Sequence, residues 1–282
     1  MSHYHNVIQQ LSAIYPKSEA TAMTRMLFEE RFGMSLTDLL LGKDSNLSEK
    51  ERTELQIIVD RLLKNEPIQY VLGRTTFCGM NISVAPGVLI PRPETEELVA
   101  WITSDHETTH HTSPLSILDI GTGSGCIALA LADQGFKVEA WDISDEALDI
   151  AQKNAERLQL SIHFKKEDIL HTDYSETRTP YDIIVSNPPY ICQQEGAEME
   201  RNVLDYEPHL ALFVPDNDPL LFYRAIARFA QKALNADGAL YYEINRAYSK
   251  ETAEMLKKEG FQKIEIRKDQ FGNDRMIKAI RK

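Results

Sequence analysis

The spacing of apolar residues changes twice along the chain. Over roughly the first 75 residues it is helical. In SEKERTELQIIVDRLLKNE (48–66), Leu55, Ile58, Val59, Leu62 and Leu63 recur on one face, and Ser48 with Glu51 supplies a capping box ahead of them. Upstream, Ser18 is placed to cap a helix over 18–32 that Gly33 ends, and a short amphipathic piece over 35–41 stops at Gly42. These pieces predict a small helical bundle. After Gly73 the pattern becomes β-like in TTFCGMNISVAPGVLI (75–90), a hairpin around Gly79; PRPETEELVAWI (91–102) then predicts a helix with Thr95 as its N-cap and acids in its first turn. Beyond the polar connector DHETTHHTSP, compact apolar runs alternate with helical ones. The order is SILDI, a helix after Gly125, VEAWD, a helix over 144–159, SIHFKKED, YDIIVSN, a helix over 219–234, ALYYEIN, a helix over 249–259, FQKIEIRKD and RMIKAIRK.

Such alternation implies an α/β fold with a parallel, doubly wound sheet covered on both faces. The short FGND turn between the last two strands makes that end of the sheet antiparallel. The expected organisation is a helical domain over 1–75, a hairpin linker over 76–90 and an α/β domain over 91–282. Ligands of such sheets bind beyond the C-terminal strand ends near the topological switch point, and SNPPYI leaves the fourth strand there.

Composition narrows the function. The 282 residues hold 31 Lys and Arg against 43 Asp and Glu, a formal net charge of −12, which disfavours nucleic acid as a partner. No apolar run approaches the roughly 18 residues that span a bilayer, and MSHYHNVIQQLSAIY has neither a basic n-region nor an apolar h-region, so a cytoplasmic protein is expected. Cys78, Cys126 and Cys192 are scattered without a C-x-x-C pair, as suits reduced thiols rather than disulfides or zinc ligands.

Three motifs carry candidate chemistry. His106-Glu107-Thr108-Thr109-His110 matches H-E-x-x-H, but a zinc helix needs an apolar face opposite the ligands, and its Ser, Asp, Thr and Pro neighbours read as a linker. In Asp119-Ile120-Gly121-Thr122-Gly123-Ser124-Gly125 a glycine turn joins a strand to the apolar helix CIALALAD. Backbone N–H groups and a helix N-terminus are offered there to an anion or a closely approaching ligand. GSGCIA also satisfies a dinucleotide fingerprint, so a nicotinamide-linked oxidoreductase or a plain nucleotide-binding module stays open. Asp142 and Asp168 end the next two strands, placed for a ribose diol and an adenine amino group, so that Asp119, Asp142 and Asp168 converge beside one glycine loop. The third motif, Ser186-Asn187-Pro188-Pro189-Tyr190, removes two backbone donors and fixes two φ angles, leaving rigid acceptors after a buried strand.

D-x-G-T-G-S-G, a strand-end acid and N-P-P-Y together resemble the class I S-adenosylmethionine-dependent methyltransferases that modify planar amino groups, among them adenine-N6 and glutamine-N5 enzymes. PIQYVLGRTTFCGM, VLIPRPETEELV, NVLDYEPHLALF and DQFGNDRM are similar to the HemK/PrmC release-factor methyltransferases over nearly the whole chain. The resemblance implies S-adenosyl-L-methionine as cofactor, S-adenosyl-L-homocysteine as product, and class I peptide chain release factors as partners, methylated on the glutamine of a Gly-Gly-Gln loop and docked by the helical domain. It also implies that the loop from Gly121 to Gly125 holds the methionine end, Asp142 the ribose, and Asp168 with Ile169 the adenine. Ile169 stands where relatives often carry an aromatic, which removes a stacking contact. Asn187 and Pro188 would accept the two N–H bonds of the target amide, and Tyr190 beside Pro189 would wall it. The motif supplies no His, Lys or second carboxylate as general base. An adenine-N6 methyltransferase is the alternative enzyme.

Overall fold

A computed structural model describes residues 2–106, 113–172 and 180–282. They fall into two compact units, Met1–Arg74 with Glu200–Tyr206, and Thr75–Met199 with Glu207–Lys282.

The first unit holds α1 (His3–Leu11), α2 (Lys17–Phe32), α3 (Leu36–Leu40), α4 (Glu49–Leu62) and α5 (Ile68–Leu72). Ser48 and Glu51 form the capping box of α4, and Gly33 closes α2 in the left-handed region at φ 64°. α2 begins one residue before Ser18, behind Pro16, whose fixed φ starts the helix and whose carbonyl takes the first helical N–H; Ser18 lies inside and caps nothing. Leu55, Ile58, Val59 and Leu62 are buried with Leu27 and Phe28, each such side chain contributing about 1.5–3 kcal/mol, while Leu63 sits at the margin. The later segment adds the Tyr206 hydroxyl, which donates to the Lys64 carbonyl at 2.8 Å.

The second unit continues with β1 (Arg74–Phe77), β2 (Met80–Ser83), α6 (Pro93–His106), β3 (Ser116–Ile120), α7 (Cys126–Asp133), β4 (Lys137–Asp142), α8 (Asp145–Leu158), β5 (Ile162–Lys166), β6 (Tyr181–Ser186) and β7 (Ile191–Cys192). α9 (Arg201–Leu204) belongs to the first unit; then come α10 (His209–Leu212), β8 (Phe213–Val214), α11 (Leu221–Ala233), β9 (Leu234–Glu243), α12 (Ser249–Lys258), β10 (Gln262–Lys268) and β11 (Asp274–Ile280). The H-E-x-x-H match lies outside the described residues from Glu107 onward.

Seven strands form one sheet in the order β10-β11-β9-β6-β3-β4-β5, with β11 antiparallel to both neighbours and the other pairings parallel. This is the α/β sheet with an antiparallel end that the alternation predicts. Both faces are buried, which is why IIV reads as an unbroken apolar run and ILDI as one interrupted only by the buried Asp119. Leu118, Ile120, Ile184, Leu240 and Tyr242 face the core shared with α11 and α12, whereas Tyr241, on the other face, meets Trp101 of α6 edge-on. The β1–β2 hairpin is held on this unit by Asn154 of α8, which bonds both Ser83 N–H (2.8 Å) and Ser83 C=O (3.0 Å).

Candidate active site

The strand order reverses between β3 and β6, and the chain leaves their adjoining ends through the glycine loop and through SNPPY. Ile120 and Ser186 are register partners, and the Ser186 hydroxyl donates to the Ile120 carbonyl at 2.6 Å, fastening the two exits together. Beyond them opens a cavity of about 360 Å³. Gly121, Thr122, Gly123 and Ser124 line it with Asp142, Asp168, Ile169, Asn187, Pro188 and Pro189. Asp119, Gly125 and Tyr190, also expected at the site, are not among its lining residues.

Gly121 and Gly123 are left-handed at φ 76° and 55°, and a Cβ on either would meet no atom within 4 Å, so the space above them is open. The loop is tied to β4. Gly121 and Thr122 N–H both donate to the Trp141 carbonyl at 2.9 Å, and Gly123 N–H to Asp142 Oδ2 at 2.8 Å. Asp142 Oδ1 accepts Ser144 N–H at 2.9 Å, so each carboxylate oxygen keeps acceptor capacity for a ligand. Burial raises its pKa, opposed by these N–H donors. Asp168 ties its own turn, accepting Leu170 N–H at 2.9 Å and pairing with His171 at 2.6 Å, next to the buried Ile169.

Asp119 braces the loop from below. It is fully buried beneath the loop and accepts the Thr122 hydroxyl at 2.7 Å; burial, with the charge of Asp142 adding to it, pushes its carboxyl up to about 7. Gly125 caps α7 at φ 83°, where a Cβ would stand 3.1 Å from Ala151 Cβ, so the close approach of α8 requires a glycine there.

At the second exit, Asn187 Nδ2 donates to Glu243 Oε2 at 3.0 Å and lies 3.3 Å from Thr95 Oγ1. Thr95 donates to the same Oε2 at 2.6 Å, and the Tyr190 hydroxyl donates to Oε1 at 2.9 Å. The half-buried Tyr190 ring, expected to wall the amide, packs against the core, and its hydroxyl is engaged behind the motif. α6 starts at Pro93, two residues ahead of the Thr95 expected to cap it, and the Thr95 hydroxyl is committed to Glu243 instead. Burial raises the Glu243 pKa, while the Thr95 and Tyr190 donors and the Arg275 cation pull it down.

Sequence reasoning gave no role to Glu243, nor to the Arg92–Glu207 ion pair. Glu207 is buried and also accepts Ile90 N–H at 3.0 Å, joining two segments that line the cavity. IPRPETE and EPHLALF signalled Arg92 and Glu207 only through the family resemblance, and Glu243 lies in neither stretch.

A methyltransferase from Pyrococcus furiosus shares the fold, with a TM-score of 0.52 at 19% identity over 78% of this chain and 96% of that one. The second unit is thus a methyltransferase fold, with its cavity at the switch point. In sequence, residues 106–205 match the methyltransferase small domain and residues 4–73 the PrmC N-terminal domain. A release factor glutamine methyltransferase of Bacteroides thetaiotaomicron is 48% identical over 97% of both chains. Another, of Flavobacterium psychrophilum, is 45% identical over 96% of this chain and 95% of that one. The chain belongs to the release factor glutamine methyltransferase family.

Proposed function

We propose that this enzyme moves the methyl group of S-adenosyl-L-methionine to the side-chain amide nitrogen of a glutamine, the one in the Gly-Gly-Gln loop of class I peptide chain release factors, in the cytoplasm. The observation that carries the reading is a pair of unclaimed acceptors beside the glycine loop. Asn187 and Pro188 both line the cavity, the Asn187 amide nitrogen is already engaged, and no described residue donates to Asn187 Oδ1 or the Pro188 carbonyl. Two acceptors match the two N–H bonds of one primary amide.

The cavity suits the cofactor. Its volume of about 360 Å³ falls within the roughly 300–1,000 Å³ of small-molecule sites, two glycines leave room for close approach, and Asp142 has capacity for a ribose diol. Asp168 and Ile169 lie toward the adenine end, Ile169 offering an apolar contact rather than a stacked ring. Bound there, the cofactor supplies an electrophilic methyl on a sulfonium sulfur and departs as S-adenosyl-L-homocysteine. The chain does the orienting. An amide nitrogen is a poor nucleophile because its lone pair is delocalised, so Asn187 Oδ1 and the Pro188 carbonyl hold its N–H bonds and aim the nitrogen, which is worth several kcal/mol. Proline fixes that carbonyl at little cost. The nitrogen loses its extra proton to solvent after the C–N bond forms.

The helical unit is read as docking the release factor away from the reacting loop, and the net charge of −12 favours a protein over a nucleic-acid substrate. Methyl-labelled cofactor offered with purified release factor, and separately with DNA, tests both statements. Label on the Gly-Gly-Gln glutamine is expected; label on DNA and none on the factor would sink the reading.

A further inference from the structure

The Asn187 side chain can serve as an acceptor only in one of its two amide orientations, and the groups behind it distinguish the two. The side of Asn187 turned from the cavity meets Glu243 Oε2 at 3.0 Å and Thr95 Oγ1 at 3.3 Å. Thr95 has committed its own hydrogen to that Oε2, so both neighbours present oxygen. A carboxylate accepts and cannot donate. Rotating the amide by half a turn would set its oxygen against two acceptors and would put an NH₂ group into the cavity, where it would meet another donor.

We propose that Glu243 is the positioning residue of this site: by accepting Asn187 Nδ2 it holds the amide oxygen toward the cavity, and so determines that the enzyme presents an acceptor to its substrate. Glu243 is buried and does not line the cavity, so its influence passes through Asn187. The sheet puts the two residues side by side. β6 and β9 are parallel with Ser186 opposite Tyr242, so the next residue of each strand, Asn187 and Glu243, emerges at the same level. The carboxylate is held in turn: the Tyr190 hydroxyl occupies Oε1, and Asn245 Nδ2 holds the Tyr190 carbonyl at 3.0 Å. Glu243 thereby links Thr95 of the IPRPETE stretch, the NPPY turn and the strand β9 through one group.

The inference rests on the reading of Asn187 as a substrate acceptor, and its test separates the two. In the free protein, the side-chain amide signal of Asn187, assigned by its loss in N187A, is expected to be shifted by the carboxylate and slow to exchange with water. In E243L it should exchange at least about tenfold faster, and kcat should fall roughly 10- to 100-fold with cofactor affinity, measured by calorimetry, within twofold. In an N187A background, E243L should cost less than a further twofold, because the group it acts through is gone. If E243L fails to fold, E243Q carries the same cycle; it keeps the volume but offers one accepting oxygen to three donors, and a several-fold fall in kcat with the same non-additivity is expected. An unchanged Asn187 signal in the variants, or losses that multiply in the double mutant, overturns the proposal. Failure of the underlying reading looks different: wild-type enzyme would leave the release-factor glutamine unmethylated while the signal still responded to E243L.

Discussion

The two strand exits at the switch point are each backed by a buried carboxylate, yet they are built by opposite means. After β3 the chain dispenses with side chains: Gly121 and Gly123 take left-handed conformations over open space, and the brace, Asp119, holds Thr122. After β6 it dispenses with backbone freedom: two prolines fix the path, and the brace, Glu243, takes Asn187, Thr95 and Tyr190. Their electrostatics differ as well. Asp119 has the like charge of Asp142 nearby, whereas Glu243 has the cation of Arg275. A loop that must let a large ligand approach is best made of absent atoms, and a turn that must aim one small group is best made of fixed ones.

The sharpest way to separate the exits is N187A. Turnover should drop at least about 100-fold, as when one preorganised polar contact to the reacting group is removed, with cofactor affinity within twofold by calorimetry. Full activity in N187A would erase the distinction. D142A should give the reverse order, a roughly 10- to 100-fold weaker cofactor complex with a smaller loss of kcat at saturation, because hydrogen bonds to a charged acceptor contribute about 1.5–3 kcal/mol.

A pH series then compares the braces. The folded chain keeps a proton on Asp119 up to about pH 7, whereas an unfolded chain loses it near about 3.9. Between those values the folded state binds the extra proton, so this group makes stability fall as pH rises and has no further effect above the window. D119N has no charge to bury. The Tm difference, D119N minus wild type, should therefore grow from about pH 4 to about pH 7 and then level off; a flat difference would mean that Asp119 is charged throughout.

The smallest effects come from the glycines. G123A should lose about 1 kcal/mol through its left-handed backbone alone and weaken cofactor binding, since it lines the cavity. G125A adds a 3.1 Å contact with Ala151 and should lower Tm more while disturbing binding less. Thermal melts with and without cofactor decide this ordering.

The strands and the glycine loop could be read from the sequence because their determinants are local: buried runs such as ILDI and IIV, and punctuation by Gly and Pro. Thr95 misled as an N-cap because a hydroxyl before an apolar run looks the same whether it caps its own helix or reaches 148 residues along the chain to Glu243. The Tyr190 hydroxyl is likewise held by a residue 53 positions away, which no local pattern shows. Glu243 ends ALYYE as an ordinary polar strand terminus, and only the pairing of β9 with β6 sets it beside Asn187. Pattern gives what a residue is next to along the chain; register gives what it is next to in the sheet.

The segment Glu200–Tyr206 makes the chain pass between its two units three times, after Arg74, after Met199 and after Tyr206. In terms of connectivity, the units are stitched rather than strung. A fragment ending at Arg74 lacks the Tyr206 hydroxyl that closes on Lys64, and one starting at Thr75 carries α9 without the helices it joins. A single proteolytic cut near residue 74 frees residues 1–74 from the rest of the chain but leaves the 200–206 piece of the same unit on the other fragment, so no single cut divides the chain along the boundary between its units.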